Sequence, residues 1–211
     1  MVAEKLRCVN CIFTRMNYLA HAYLSYNYPH ILVGNMISDF VKGAQKSLYV
    51  VSIQQGIDLH RAIDSFTDEH PATAEAKSFF RPDYRLYSAP ITDILYDHFL
   101  ATDENEFPNG ALYEFTNSVY KVLETETVHL PPRFVTMLTY MRTENWLYHY
   151  RTTEGMQKSL RGLARRAAYM NDSTKAFDLF LKHYDELKQI YQAFFPDVKQ
   201  MAKQKLAELL A

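Results

Sequence analysis

Apolar residues recur along this chain at helical spacing, and the clearest run surrounds Gly56-Ile-Asp-Leu-His-Arg-Ala-Ile-Asp-Ser-Phe-Thr-Asp68. Side chains three and four residues apart share one face of a helix. The run therefore predicts a helix from Leu48 to Glu69, stopped by Pro71, with Ile53, Ile57, His60, Asp64 and Asp68 on one stripe. The isoleucines turn that stripe inward and take an imidazole and two carboxylates with them. Buried charge is costly unless paired or bound to metal. Two readings follow: a His–Asp–Arg network with Arg61 that only joins helices, or a site.

The same periodicity predicts helices along the rest of the chain. Asn17 caps Tyr18–Tyr26, which carries His21 and is broken by Pro29. Ile31–Lys42 follows, with Val33, Ile37 and Phe40 on an apolar stripe, Asn35 and Asp39 four apart, and Gly43 as C-cap. Ala72–Phe80 is a short helix, and Arg81 to Arg85 a basic connector. Ser88 and Pro90 then start a helix in which Asp93 and Asp97, and Ile94 and His98, are spaced by one turn. Asn105–Gly110 is the most loop-like stretch. Further helices are expected over Ala111–Thr127, from Pro131-Pro132 to Met141, over Glu154–Met170, and from Thr174 onward with an interruption at Pro196. A short aromatic element, Asn145–Arg151, holds the single tryptophan, Trp146. No stretch sustains the alternation of a strand, and there is no repeat or low-complexity tract. The chain reads as all-α: one helical bundle domain over residues 16–211, preceded by an N-terminal extension over residues 1–15 outside the core.

Composition supports this. Six glycines in 211 residues suit long helices better than a turn-rich sheet protein, and 48% apolar residues suffice for a sizeable core rich in tyrosine and phenylalanine. A net charge of -1 gives no electrostatic case for nucleic acid as the main partner. Cys8 and Cys11 form one CxxC, too few ligands for a structural zinc and outside any βαβ pattern, so the pair reads as incidental. Residues Met1–Arg15 make a poor signal peptide, and Met16 is the more natural start. No apolar run approaches the roughly 18 residues of a spanning helix. The expectation is a soluble cytoplasmic protein with no membrane partner.

Four predicted helices offer nitrogen and oxygen ligands: His21, Asp39, His60 with Asp64, and Asp93 with Asp97 and His98. Singly each is an ordinary core residue. Together they supply what a divalent ion on a helical scaffold requires. No nucleophile elbow, P-loop or dinucleotide fingerprint competes.

Several ordered blocks carry a more specific signal. They are Met16-Asn-Tyr-Leu-Ala-His21, Gly34-Asn-Met-Ile-Ser-Asp-Phe-Val-Lys-Gly43, Gly56 to Asp64 with Thr67-Asp68, and Ala89-Pro-Ile-Thr-Asp-Ile-Leu-Tyr-Asp-His-Phe-Leu100. Pro131-Pro-Arg-Phe134, Trp146 to Arg151, Gly162-Leu-Ala-Arg165 and Phe194-Phe-Pro196 continue the series. With them the chain resembles the acyl carrier protein phosphodiesterase family, also called acyl carrier protein hydrolases, from Met16 onward. That family is similar to the all-helical, metal-dependent His-Asp phosphohydrolases. Here the adjacent His-Asp pair is replaced by His60-Arg61 and the reversed Asp97-His98.

The resemblance implies hydrolysis of the phosphodiester joining 4'-phosphopantetheine to a serine of holo acyl carrier protein, within fatty acid biosynthesis. It implies a divalent metal, with manganese suggested by family behaviour. On it rests the expected assignment of His21, Asp39, His60 and Asp97 as ligands, Asp64 as supporting carboxylate or general base, His98 as acid for the leaving serine, and Arg61 as phosphate clamp. Lys158, Arg161 and Arg165 form one charged stripe, with Arg166 beside it, expected to dock the acidic carrier protein. Lys42, Arg81 and Arg85 are the other basic candidates. Two alternatives stand: a phosphohydrolase for a nucleotide or other small phosphodiester, and a non-enzymatic helical interaction module.

Overall fold

The computed structural model describes residues 17–170 and 172–211. The expected extension, residues 1–15, and its cysteine pair lie outside the described residues. Twelve α-helices are joined by short 3-10 turns, and no strand occurs among the described residues. They are α1 (Tyr18–Tyr23), α2 (Pro29–Ile37), α3 (Val51–Glu69), α4 (Pro71–Ser78), α5 (Arg81–Tyr84), α6 (Ser88–Ala101), α7 (Ala111–Thr125), α8 (Pro132–Thr143), α9 (Trp146–His149), α10 (Thr153–Arg166), α11 (Thr174–Lys182) and α12 (Tyr184–Leu210). The all-α, single-domain expectation agrees with this architecture. Among the described residues no helix is long and apolar enough to cross a membrane.

Two helices organise the rest. Every residue of α6 except Ala89 is buried, and this helix touches α1, α4, α10 and α12. Its polar members, Thr92, Asp93, Asp97 and His98, are therefore enclosed with its aliphatic ones. The second is α3, which packs most extensively against α2 and also against α12 and α4. Glycine decides how closely α2 and α3 approach. A Cβ on Gly34 would lie 2.8 Å from the Gly56 Cα and would strike the Ile53 carbonyl; one on Gly56 would lie 2.9 Å from the Gly34 Cα and strike the Ile31 carbonyl. The two backbones touch, and no larger residue fits either position.

Several boundaries differ from the sequence expectation for local reasons. Helix α1 ends at Tyr23 because Tyr26 and Asn27 take left-handed backbone, φ 50° and 63°. Pro29 opens α2 from its first position, where its missing N–H is harmless, and does not merely end the previous helix. Helix α2 stops at Ile37, so Asp39 sits on a 3-10 turn, Ser38–Phe40, rather than on a helix. Gly43, at φ +53°, begins a further 3-10 stretch and caps no helix. The loop-like 105–110 segment is tethered: Phe107 is buried, and Lys199 donates to Glu106 at 2.7 Å. At the C-terminus the break falls at His183, while Pro196 lies inside a continuous α12. Burial of Phe194, Phe195 and Val198 offsets the hydrogen bond that Pro196 removes.

The α2–α3 contact makes a direct expectation. Gly34→Ala and Gly56→Ala should each destabilise the protein by about 2–4 kcal/mol, since backbone must move to admit the methyl group. Gly162→Ala is the control. Its Cβ would meet only the Arg166 guanidinium, at 3.7 Å, and alanine in a helix interior gains roughly 0.5–1 kcal/mol. Urea unfolding of the three variants measures the contrast; equal stability for all three would refute the backbone contact.

Candidate metal centre

Helix α1 supplies His21, and α3 supplies His60 and Asp64 from successive turns. The two imidazoles stack, with ring centroids 3.9 Å apart and planes 16° from parallel. One residue of α2 orients both. The Asn35 side-chain oxygen accepts from His21 Nδ1 at 2.7 Å, and the Asn35 backbone carbonyl accepts from His60 Nδ1 at 2.7 Å. Asn35 is itself fixed, because its amide nitrogen donates to the His21 carbonyl at 2.8 Å and to Ser25 Oγ at 3.1 Å. With Nδ1 donating in each ring, a neutral imidazole has its lone pair on Nε2.

Both Nε2 atoms point at Asp64. His21 Nε2 is 3.3 Å from one carboxylate oxygen and His60 Nε2 is 3.4 Å from the other. Neither Nε2, though buried, makes a well-formed hydrogen bond. Asp39, on its turn, places an oxygen 3.6 Å from His60 Nε2. Two lone-pair nitrogens facing a carboxylate repel it unless a positive charge lies between them. Burial works against a charged His60, but the Asp39 and Asp64 carboxylates outweigh it and lift the imidazole to about 9. Burial and the neighbouring His60 push His21 below its ordinary value. Burial would raise Asp64, yet the two histidines hold it well below the usual carboxylate range. The pocket thus favours positive charge where the donors converge. His21, His60 and Asp64 form a group whose ligand atoms lie within 4.8 Å of one another, able to hold a metal ion. Two imidazoles and a carboxylate, with a second carboxylate adjacent, suit a divalent transition metal.

The other expected residues lie as follows. Asp97 is fully buried, and its oxygens accept from the backbone N–H groups of Leu19 at 3.0 Å and Ala20 at 2.8 Å. It fills the role of an N-cap for α1 from another helix, since Asn17 makes no side-chain cap. Burial raises its carboxyl well above the usual range, against the pull of the two amides. Asp97, expected as a ligand, is not among the converging donors His21, His60 and Asp64, and its oxygens are engaged by the α1 amides. His98 also stands apart from the cluster. Its Nδ1 is 2.7 Å from the Tyr150 carbonyl and its Nε2 3.2 Å from the Tyr184 hydroxyl, because one residue along a helix turns it about 100° from Asp97. Burial lowers its imidazole. Arg61 is exposed, with its guanidinium 3.5 Å from the Val41 carbonyl, two residues from Asp39. Asp68 has left the stripe to pair with Lys77 at 2.9 Å.

Beyond this cluster a cleft of about 800 Å³ opens between α8, α9 and α10, lined by Tyr140, Trp146, Arg161, Arg165 and Arg166 among others. Lys158 also lines it and pairs with Glu154 at 3.4 Å. Arg166 lies within electrostatic reach of Tyr18 and Tyr150, and buried Tyr18 within electrostatic reach of Asp39 and Asp97. Tyr18 therefore lies between the basic wall of the cleft and the edge of the histidine cluster.

A family model for acyl carrier protein phosphodiesterases matches residues 16–198. The chain belongs to this family. Relatives named acyl carrier protein phosphodiesterase include one from an Enterobacter species, 35% identical over 90% of this chain and 99% of the relative. One from Yersinia pestis is 32% identical, again over 90% of this chain and 99% of the relative. One from Escherichia coli is 34% identical over the same shares. No solved structure matches the chain.

The cap role of Asp97 separates cleanly from a ligand role. Asp97→Asn presents an amide nitrogen to a backbone N–H, so it should destabilise the fold by about 1–3 kcal/mol while the folded fraction still binds metal. Calorimetry and metal analysis of the variant measure both. A variant of native stability that lost its metal would restore Asp97 to the ligand set.

Proposed function

We propose that this chain hydrolyses the phosphodiester joining 4'-phosphopantetheine to a serine of holo acyl carrier protein, giving apo carrier protein and free 4'-phosphopantetheine. The observation that carries the reading is the convergence of His21, His60 and Asp64, beside Asp39, in a member of a family whose relatives bear that name. The proposed unit is the helical domain from residue 16 onward, acting in the cytoplasm beside fatty acid biosynthesis.

His21, His60 and Asp64 would hold a divalent ion, and mixed nitrogen and oxygen donors admit Mn²⁺. When bound, such an ion supplies positive charge to an anionic diester and makes nearby water more acidic. The chain's own residues do the rest. Asn35 keeps both imidazoles in the tautomer that presents Nε2. Asp64, expected as the general base, joins the ligand set in this reading because it converges with His21 and His60, and Asp39, expected as a ligand, would instead take the proton of the attacking water from its partly exposed position 3.6 Å from His60. The new P–O bond forms as the bond from phosphorus to the serine oxygen breaks, and that oxygen takes up a proton from solvent as Asp39 returns to solvent the one it received. Arg61, near Val41, would meet a non-bridging phosphate oxygen, where a guanidinium forks onto two oxygens.

The cleft suits the remainder of the substrate. Arg161 and Arg165 on its exposed wall face an acidic carrier protein, while Trp146 and Tyr140 offer apolar surface to a pantetheine arm. Opposite charge of this kind governs encounter and register more than chemistry.

Two measurements test the proposal. Mass spectrometry of holo carrier protein incubated with the chain and Mn²⁺ should register loss of the prosthetic group, and EDTA should abolish that loss. Turnover of nucleotides or small diesters with holo carrier protein left intact would instead favour the small-substrate phosphohydrolase. For docking, Arg161→Glu combined with Arg165→Glu should raise KM for holo carrier protein about tenfold or more at low salt and flatten its salt dependence, with kcat little changed. An unchanged KM would remove α10 from the docking surface and direct attention to Lys42, Arg81 and Arg85.

A further inference from the structure

A second cluster of metal-type donors lies outside the centre described above. His30 sits in the first turn of α2, Glu126 closes the C-terminal end of α7, and His129 ends the following 3-10 turn, Thr127–His129. His30 Nε2 and His129 Nε2 each lie 3.7 Å from the same oxygen, Glu126 Oε2. The rings meet edge to face with centroids 5.8 Å apart. All three ligand atoms fall within 4.8 Å of one another. None of these functions belongs to the reaction proposed above. Ser52, which supports His30, precedes His60 by eight residues on α3, roughly 12 Å along the helix axis.

The spacing argues for an ion between the donors. At 3.7 Å the nitrogen–oxygen separations exceed those of ordinary hydrogen bonds, about 2.7–3.2 Å. Donors held tetrahedrally at about 2.0–2.1 Å from a zinc ion lie roughly 3.3–3.4 Å from one another, a few tenths of an ångström inside the two 3.7 Å separations present, which rotation of the partly exposed side chains can close. The support for the ligands is also in place. His30 Nδ1 is 2.7 Å from Ser52 Oγ, and the tautomer that donates to Ser52 leaves a lone pair on Nε2. His129 is held by its backbone N–H, which donates to the Glu126 carbonyl at 2.9 Å. The three side chains are partly exposed, so an ion can enter and a water can complete its coordination.

We infer that His30, Glu126 and His129 form a second metal site, of the two-histidine, one-carboxylate class that takes Zn²⁺ or a similar transition-metal ion. Ligands come from α2 and from the end of α7, with Ser52 of α3 behind one of them. An ion here ties the C-terminal end of α7 to the start of the α2–α3 pair.

The test is equilibrium dialysis of the full chain against Zn²⁺ alone, with metal analysis of wild type, His30→Ala, His129→Ala and Glu126→Gln. These side chains are partly exposed, so the variants should keep the wild-type far-UV spectrum. Wild type should bind one ion per chain more than each variant, and Zn²⁺ should raise its Tm further. The difference of one ion holds whether or not the His21–His60–Asp64 centre binds metal, so failure of that reading and failure of this one are distinguishable. Equal stoichiometry in wild type and all three variants would overturn the site and leave the cluster as ordinary histidine–carboxylate pairs.

Discussion

The contact between Gly34 and Gly56 is the constraint on which the centre depends. It lets the backbones of α2 and α3 meet without intervening side chains. Only at that separation can His60, on α3, donate directly to a backbone carbonyl of α2. Asn35 lies in the last turn of α2, where helix carbonyls lack intrahelical partners and the helix dipole is negative. A cationic or metal-binding imidazole is favoured at such an end. The same residue turns its side chain to His21, so one asparagine at one helix terminus aligns histidines from two other helices. The ending of α2 at Ile37 then swings Asp39 back toward His60 on the 3-10 turn. Glycine packing, helix termination and ligand orientation are consequences of one another here.

The electrostatics of the pocket follow from that packing. Two imidazoles stacked at 3.9 Å cannot both be protonated without strong repulsion, and the opposed directions of their shifts express this. One proton is a poor match to two nitrogens and two carboxylates. A divalent ion could satisfy the same set with a single charge centre. A network built only for stability would place a donor on each buried acceptor; here both Nε2 atoms lack a well-formed hydrogen bond.

Much of this was legible in the sequence. Helical periodicity and scarce glycine indicated the all-α class, and the stripe of Ile53, Ile57, His60 and Asp64 indicated which face of α3 turns inward. What periodicity could not give was the partner of each polar side chain. Asp97 and Asp64 look alike as carboxylates on inward faces, yet Asp97 meets the backbone amides of α1 while Asp64 meets His21 of α1 and His60 of its own helix, and the α1 partners are not written in either residue's own periodicity. His98 faces the Tyr150 carbonyl and the Tyr184 hydroxyl for a similar reason: in a helix with almost every residue buried, facing inward no longer says toward what. Asn35 stood in the predicted i, i+4 pair with Asp39, but its use of both side chain and carbonyl depends on where α2 stops. That ending is set by backbone geometry around Ser38–Phe40, which no hydrophobic pattern records.

The position of α6 explains how the basic cleft and the buried histidine cluster are kept in register. Through Asp97 it grips the first turn of α1, which carries His21, and on another side it packs against α10, which carries the basic row. Tyr18 stands between these, one turn before His21 and within electrostatic reach of Arg166. A shift of α10 relative to α6 would therefore move the cleft against the histidines. Burial of α6 along nearly its whole length resists such a shift, because interiors packed at crystal-like density do not slide freely. The buried carboxylate of Asp97 costs desolvation energy that an apolar residue would avoid. Its return is a fixed α1: an apolar side chain would leave the Leu19 and Ala20 amides without acceptors, and His21 would lose its orientation with them.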